Sequence, residues 1–267
     1  MRLAANAPII RKMDAREGFD FVFAALPGSR AYREATRAAA PEFPQWLLPF
    51  NGIGGDELAR IALEARIGPG DAFVDLACGT GGSGIWIAER TGAALVGVDF
   101  STAAIASANA LAAERGHLTE RVRFVVADAQ DTKLPAAAFD AVVCIDALIF
   151  MDADAAAAEI ARLLRPGGYF VATTWEVLSE DIPLPGMVFD YEPVFERAGL
   201  AVHAYEALAG WNERLAVFYR ALLEREDALR EEMGEAASSL LEEARDGLSR
   251  EGKTPRVRKV FIVARRD

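Results

Sequence analysis

From about residue 66 onward, apolar positions alternate between two patterns. Short continuous runs occur at Ala72 to Ala77, Ala94 to Val98, Val122 to Val126, Ala141 to Ile145 and Tyr169 to Thr173. Each is strand-length and most are rich in β-branched residues. Between them lie Gly84 to Arg90, Ala103 to Arg115 and Ala153 to Leu164, whose alanine and leucine content suits crossover helices. Strand and helix in alternation predict βαβ units, and so a doubly wound α/β fold with a mostly parallel sheet and helices on both faces.

The flanks read differently. Helical patterns before residue 66 are broken by Pro27-Gly28, Pro41, Pro44 and Pro49, and a run Asn51-Gly52-Ile53-Gly54-Gly55 precedes a helix from Asp56 to Ala65. Residues 1–65 are therefore expected to form a helical cap, with Gly52, Gly54 and Gly55 as a hinge. Residues 66–176 form the expected core, and 177–267 complete the sheet around an inserted helical region. That last part holds a proline-rich stretch from Ile182 to Gly186, a helix near Val188 to Ala198 and a strand near Leu200 to Tyr205. A charged helical stretch follows from about Glu213 to Leu248, read as a solvated face, and then an apolar strand from Val257 to Ala264.

Charge and cysteine content narrow the function. Lysine and arginine total 29 against 40 acidic residues, a net charge of −11 that disfavours a general nucleic-acid partner. No stretch offers about 18 uninterrupted apolar residues, and the N-terminus lacks a secretory apolar region, so a cytoplasmic protein without a membrane partner is expected. Cys78 and Cys144 lie far apart with two histidines in the whole chain, poor material for a zinc site or a disulfide. Both read as small apolar residues, and no metal is expected.

The densest chemical signal is Val74-Asp75-Leu76-Ala77-Cys78-Gly79-Thr80-Gly81-Gly82-Ser83-Gly84, a strand entering a glycine-rich turn and a helix. Gly79, Gly81 and Gly84 also satisfy the GxGxxG spacing of dinucleotide sites. The second strand ends in Asp99, where a carboxylate can accept both hydroxyls of an adenosine ribose, a feature common to methyl donors and NAD. Asp128 ends the third strand and can meet an adenine amino group. Each acid could instead only cap its turn.

These motifs with Phe139-Asp140-Ala141-Val142-Val143-Cys144-Ile145-Asp146 and Leu164-Arg165-Pro166-Gly167-Gly168-Tyr169 form an ordered set. Over roughly residues 56 to 176 it resembles the class I S-adenosylmethionine-dependent methyltransferases, in particular small-molecule enzymes of bacteria. The resemblance implies a seven-stranded Rossmann-like sheet with an antiparallel last strand, which Val257 to Ala264 can supply beside Leu200 to Tyr205. It implies S-adenosylmethionine as cofactor. Asp75 would lie near the methionine amino group, with Ala77, Gly79 and Gly81 as backbone walls. Asp99 would hold the ribose, Phe100 would pack on adenine, and Asp128 with Ala129 would meet its amino edge. Cys144 or Ile145 would contact the methionine part through the backbone. Ala77 departs from the family, which usually has glycine there; a slightly altered backbone with binding retained is expected.

Methyl transfer is an in-line displacement that gains most from holding donor and acceptor together away from water. A hydroxyl acceptor would use a base, and the candidates are Asp146, at the carboxyl edge of the sheet, and His203, with Glu176 and His117 behind them. Tyr32, Trp46, Phe150, Trp175, Tyr191 and Trp211 are candidate walls of an acceptor pocket, and Phe43, Phe50 and Tyr219 belong to the same aromatic set. The expected activity is methylation of a small organic molecule, such as a specialised metabolite, at oxygen, nitrogen or carbon. The alternatives are a donor-binding fold recruited to cyclisation or regulation, and an NAD-dependent oxidoreductase, for which a Tyr-x-x-x-Lys pair is missing.

Overall fold

Alternation along each strand sends consecutive side chains to opposite faces of the sheet. A computed structural model describes residues 15–50, 52–118, 120–178, 188–251 and 256–267. The expected proline-rich stretch at 182–186 and the N-terminal residues 1–14 lie outside the described residues, as does the side chain of His117. Seven strands form one sheet: β1 (Ala72–Leu76), β2 (Ala94–Asp99), β3 (Val122–Val126), β4 (Phe139–Ile145), β5 (Leu164–Val177), β6 (Leu200–Ala207) and β7 (Val257–Arg266). Their spatial order is β3-β2-β1-β4-β5-β7-β6. The first five are mutually parallel, and β7 runs antiparallel to both β5 and β6. This is the expected doubly wound sheet.

One face of the sheet presents Phe73, Val143, Val171 and Phe261 to helices α3 (Gly55–Glu64), α4 (Gly82–Thr91) and α5 (Thr102–Glu114). The other presents Val74, Val142, Phe170 and Ile262 to α6 (Ala153–Leu163) and α7 (Glu192–Arg197). Side-chain caps start two of these helices: Ser101 accepts from the Ala104 amide at 3.0 Å and Asp152 from that of Ala155 at 2.9 Å. In the Pro-Gly-Gly stretch, Phe139 pairs with Leu164 and Ala141 with Tyr169, so residues 165–168 swing out as a wide irregularity at the head of β5.

The cap has two sources. Helices α1 (Ala15–Ala25) and α2 (Arg30–Ala39) share one apolar cluster with α8 (Trp211–Leu223), α9 (Glu226–Met233) and α10 (Ala236–Ser249). The long charged stretch is thus three helices, divided around Arg225 and at Gly234, whose φ is +58°. The third N-terminal helix, α3, packs Leu58 and Ile61 into the core layer instead. Asp20 of α1 accepts from the Ala103 amide at 3.0 Å, pinning the cap to the start of α5. The glycine joint is also tied down, since the Gly52 carbonyl accepts from Arg214 of α8 at 3.0 Å and the Gly55 amide donates to Glu42 at 2.7 Å. No helix of the described residues is long and apolar enough to cross a membrane.

Candidate active site

Parallel strands deliver their carboxyl ends to one edge, and the reversal of strand order between β1 and β4 opens a crevice there. Asp75 pairs across the sheet with Gly97 and Val143, so Asp99 and Asp146 emerge beside it at the same edge. A cavity of about 360 Å³ lies over these residues, closed by α1, α8 and α10. Ala77, Gly79, Asp128, Ala129 and Ile145 also line it.

The glycine turn is held by backbone geometry. Ala77 and Gly79 adopt left-handed φ of +56° and +53°, and Gly81 follows at +79°. A Cβ on Gly81 would stand 2.7 Å from Phe124, so this glycine is required by both space and conformation, although it does not itself line the cavity. A Cβ on Gly84 would stand 2.6 Å from Asp75 Oδ2; its absence lets the carboxylate approach the first turn of α4.

Asp75 is 2% exposed and its Oδ2 has no hydrogen-bond partner among the described residues. Burial, reinforced by Asp99 and opposed by the Gly84 amide, pushes its pKa up to about 8. Asp99 accepts one bond on each oxygen, from Gly79 N and from Ser101 N, both at 2.9 Å. Burial still outweighs these bonds and raises its pKa. Each Asp99 oxygen keeps lone-pair capacity for a hydroxyl. Phe100 lines the cavity, meeting Phe19 edge-on with ring centroids 5.8 Å apart, while Arg16 donates to its carbonyl at 2.7 Å. Asp128 is exposed and accepts from Gln130 N at 2.9 Å, so it forms a turn and faces the cavity at once. Ile145 reaches the cavity, but the Cys144 side chain packs into the opposite layer. Cys78 lines the cavity, and burial raises its thiol pKa well above the ordinary value.

Of the expected acceptor-side aromatics, Phe150 and Trp175 line the cavity, together with Phe50 and Tyr219. Four do not. Tyr32 is buried inside the cap, donating to the Pro49 carbonyl at 3.1 Å and standing edge-on to Phe218. Trp46 lies beneath the Arg115 guanidinium at 4.1 Å. Tyr191 is buried in the opposite layer beside Phe195. Trp211 backs Trp175 with centroids 4.5 Å apart, supporting the wall without forming it. Phe43 is likewise core.

The candidate bases separate. His203 is exposed on the edge strand β6, at the bulge between Val202 and Ala204, and lies outside the cavity. An edge position on the far side of β7 gives it no route to the carboxyl ends of β1 and β4. Glu176 is fully buried and taken up by Tyr205 and by Arg258 at 2.5 Å. Asp146 is at the cavity, 5% exposed, with φ +57°. Its Oδ2 lies 2.8 Å from Lys259 Nζ, and its Oδ1 has no hydrogen-bond partner among the described residues. Lys259, 1% exposed, also meets Glu57 Oε2 at 2.8 Å, and Glu57 in turn pairs with Arg214. Burial pulls the Lys259 pKa down, but Asp146 and Glu57 together outweigh it and the pKa is raised. The pattern Val-Arg-Lys-Val in an apolar strand is the sequence signal for Lys259, visible once a lysine is asked to sit at an inward position.

Sequence reasoning also passed over Phe19, Phe23 and Glu243, all at the cavity. Phe19 and Phe23 are four apart on α1 and so share a face. Glu243 follows Leu240 by three on α10, which turns it inward from a stretch that looks solvated.

Residues 73–168 match the family described as a methyltransferase domain. The match takes in the glycine-rich turn and the ends of β1, β2, β3 and β4, so this stretch is similar to a methyltransferase domain. Gly79, Gly81 and Gly84, which carry the GxGxxG spacing, lie inside the matched stretch. Nocamycin O-methyltransferase of Saccharothrix syringae is 35% identical over 152 residues, covering 55% of this chain and 51% of that protein. The matched stretch spans roughly a third to a half of the curated relatives. Among solved structures, the [4+2]-cyclase SpnF superposes with a TM-score of 0.69 at 22% identity, covering 78% of this chain and 79% of that one. A geranyl diphosphate methyltransferase in complex with SAM gives 0.60 at 22% identity, covering 79% and 85%. Both show that the likeness of fold reaches well beyond residues 73–168.

Proposed function

We propose that this protein transfers a methyl group from S-adenosylmethionine to a small, largely apolar organic acceptor. The observation that carries the reading is the unpartnered Asp75 Oδ2 buried beside the doubly bonded Asp99, both opening on one mostly apolar cavity. A buried acid with no counter-charge beside it costs stability, and it fits a ligand that brings a cation. S-adenosylmethionine supplies an ammonium of that kind and, when bound, an activated methyl on a sulfonium.

In this reading Asp75 holds the ammonium, losing its own proton as it does so. Asp99 takes the ribose hydroxyls on its free lone pairs, Phe100 packs on the adenine, and Asp128 with Ala129 frames the adenine edge. The walls of Ala77, Gly79 and Ile145 bring backbone close to the methionine part. Phe150 and Trp175 exclude water from the acceptor's side. Asp146 offers its Oδ1 to the acceptor as hydrogen-bond acceptor or base, with Lys259 fixing the other oxygen. Whether the methylated atom is oxygen, nitrogen or carbon follows from the acceptor.

Calorimetric titration with S-adenosylhomocysteine, and with NADH under the same conditions, tests the reading. Binding of the former alone is expected; NADH binding alone overturns it. Labelled donor then reports the transfer itself, and donor binding with no methylated product across an acceptor screen would point to a non-methylating role.

A further inference from the structure

One pair of polar groups at the cavity has no place in donor recognition. Tyr219 of α8 and Glu243 of α10 both line it, far in sequence from the strand ends, and Tyr219 Oη donates to Glu243 Oε1 at 2.9 Å. Their surroundings are apolar: Phe218, Leu222 and Leu240 face the cavity beside them. The pairing is built into the fold, because Gly247 makes room for the phenol ring; a Cβ there would stand 2.2 Å from Tyr219 Cε2. Burial raises the Tyr219 pKa well above its ordinary value, so the phenol stays a donor and its one proton is committed to Oε1. Glu243 Oε2 and the second lone pair of Oε1 remain for a ligand. The same burial, with Asp246 adding to it and Tyr219 opposing it, lifts the Glu243 pKa to about 7.

The pair belongs to the acceptor's end of the cavity. The groups suited to the donor come from β1, β2, β3 and the glycine turn, whereas Tyr219 and Glu243 come from the cap helices. Phe23 connects the two ends: its ring would lie 3.6 Å from a Cβ on Gly79, and it shares an apolar cluster with Tyr219 and Leu240. A ligand filling the apolar part of the cavity therefore meets acceptors of hydrogen bonds at its far end, while Arg16, the cation among the described lining residues, lies over the Phe100 ring.

We infer that Glu243, oriented by Tyr219, anchors the acceptor, and that the acceptor is an apolar molecule carrying a hydrogen-bond-donating head, a hydroxyl or an ammonium. The inference rests on the methyltransferase reading of the same cavity. At a pH above the Glu243 pKa it excludes carboxylates and phosphates as the anchored head, since either would face the ionised glutamate with like charge.

A matched set of probes tests it: 1-decanol, decylamine, decyl methyl ether and decanoate, displacing Nile red from protein saturated with S-adenosylhomocysteine. Decanol or decylamine is expected to bind about tenfold more tightly than the ether and the acid, the span of one charge-assisted hydrogen bond. Glu243→Leu is expected to erase that preference while S-adenosylhomocysteine affinity stays the same, and Tyr219→Phe to reduce it. Glu243→Gln separates the two heads: it keeps the preference for the alcohol, whose proton the amide oxygen still accepts, and loses it for the amine. Equal binding of all four probes, binding of none, tightest binding of decanoate, or an intact preference in Glu243→Leu overturns the anchor. Should Glu243→Leu fail to bind S-adenosylhomocysteine, the wild-type order with Glu243→Gln and Tyr219→Phe decides. Failure of the wild-type protein to bind S-adenosylhomocysteine overturns the underlying reading instead.

Discussion

Replacing Asp75 by Asn should make the ligand-free protein more stable and its donor site useless. Burial lifts the Asp75 pKa from 3.8 to about 8, so folding drags a carboxylate that is ionised in the unfolded chain into a place where it binds a proton. Below pH 4 both states hold the proton and the group costs nothing. Between pH 4 and 8 the folded state alone holds it, and stability falls by about 1.4 kcal/mol per pH unit. At pH 7 the accumulated penalty reaches about 4 kcal/mol as a ceiling. The asparagine has nearly the same shape and no charge to desolvate. Urea unfolding of the two proteins at constant ionic strength should therefore coincide near pH 4.5 and diverge up to pH 8, the variant being the more stable. Calorimetry with S-adenosylhomocysteine completes the argument, since an ammonium that ionises Asp75 must release a proton. Binding enthalpies in buffers of different ionisation heat should show release approaching one proton per ligand at pH 6.5 to 7, and none in Asp75→Asn. Stability curves that stay parallel across this range, or donor affinity preserved in the variant, would refute the reasoning.

Three further outcomes are expected. Asp99→Ala should weaken S-adenosylhomocysteine binding by about 1 to 3 kcal/mol, the worth of charge-assisted bonds to buried hydroxyls; calorimetry on a variant with native circular dichroism checks it. Lys259→Met should lose about 3 to 5 kcal/mol in denaturant unfolding, because Asp146 is left buried with no cation and Glu57 with Arg214 alone. Ala77→Gly should leave stability unchanged or raise it by up to about 1 kcal/mol, as relief of the left-handed strain at φ +56° outweighs the extra freedom of glycine in the unfolded chain; a loss of stability would show that the alanine methyl packs favourably.

The sheet and the glycine-rich turn were legible because each rests on a local rule. Short continuous apolar runs marked the strands, and Asp75, Gly79 and Asp99 fall where strand ends must lie. The acceptor's side was not, for a physical reason: an aromatic residue buries equally well on either side of a helix, and sequence alone does not say whether a cavity or a core lies there. Tyr32 and Trp46 went to cores, Tyr191 to the opposite layer, and Trp211 to the back of a wall. Glu243 was obscured by its neighbours, since Leu240 and Ala244 are apolar while Glu242 and Arg245 are not, and a glutamate in such company reads as solvated. Lys259 was missed because inward lysines are rare enough that no pattern argues for them. The Pro-Gly-Gly stretch reads as a reversal, and the structure makes it the irregular head of a strand, since the parallel partner β4 is already in place to receive it.

Strand β7 follows β6 in the chain but lies between β5 and β6 in space, and it brings Lys259 with it. During synthesis, therefore, β6 emerges with no neighbour to pair with, and Asp146 waits at the sheet edge for a counter-charge more than a hundred residues downstream. Until residues 257–266 leave the ribosome, the nascent chain holds an unpaired edge on β5 and, in Asp146, an acid whose cation has not yet been made. Completion of the sheet and neutralisation of its buried charge are the same late event, so a stalled or prematurely terminated chain would present a sticky edge to chaperones and proteases rather than a slightly shorter enzyme.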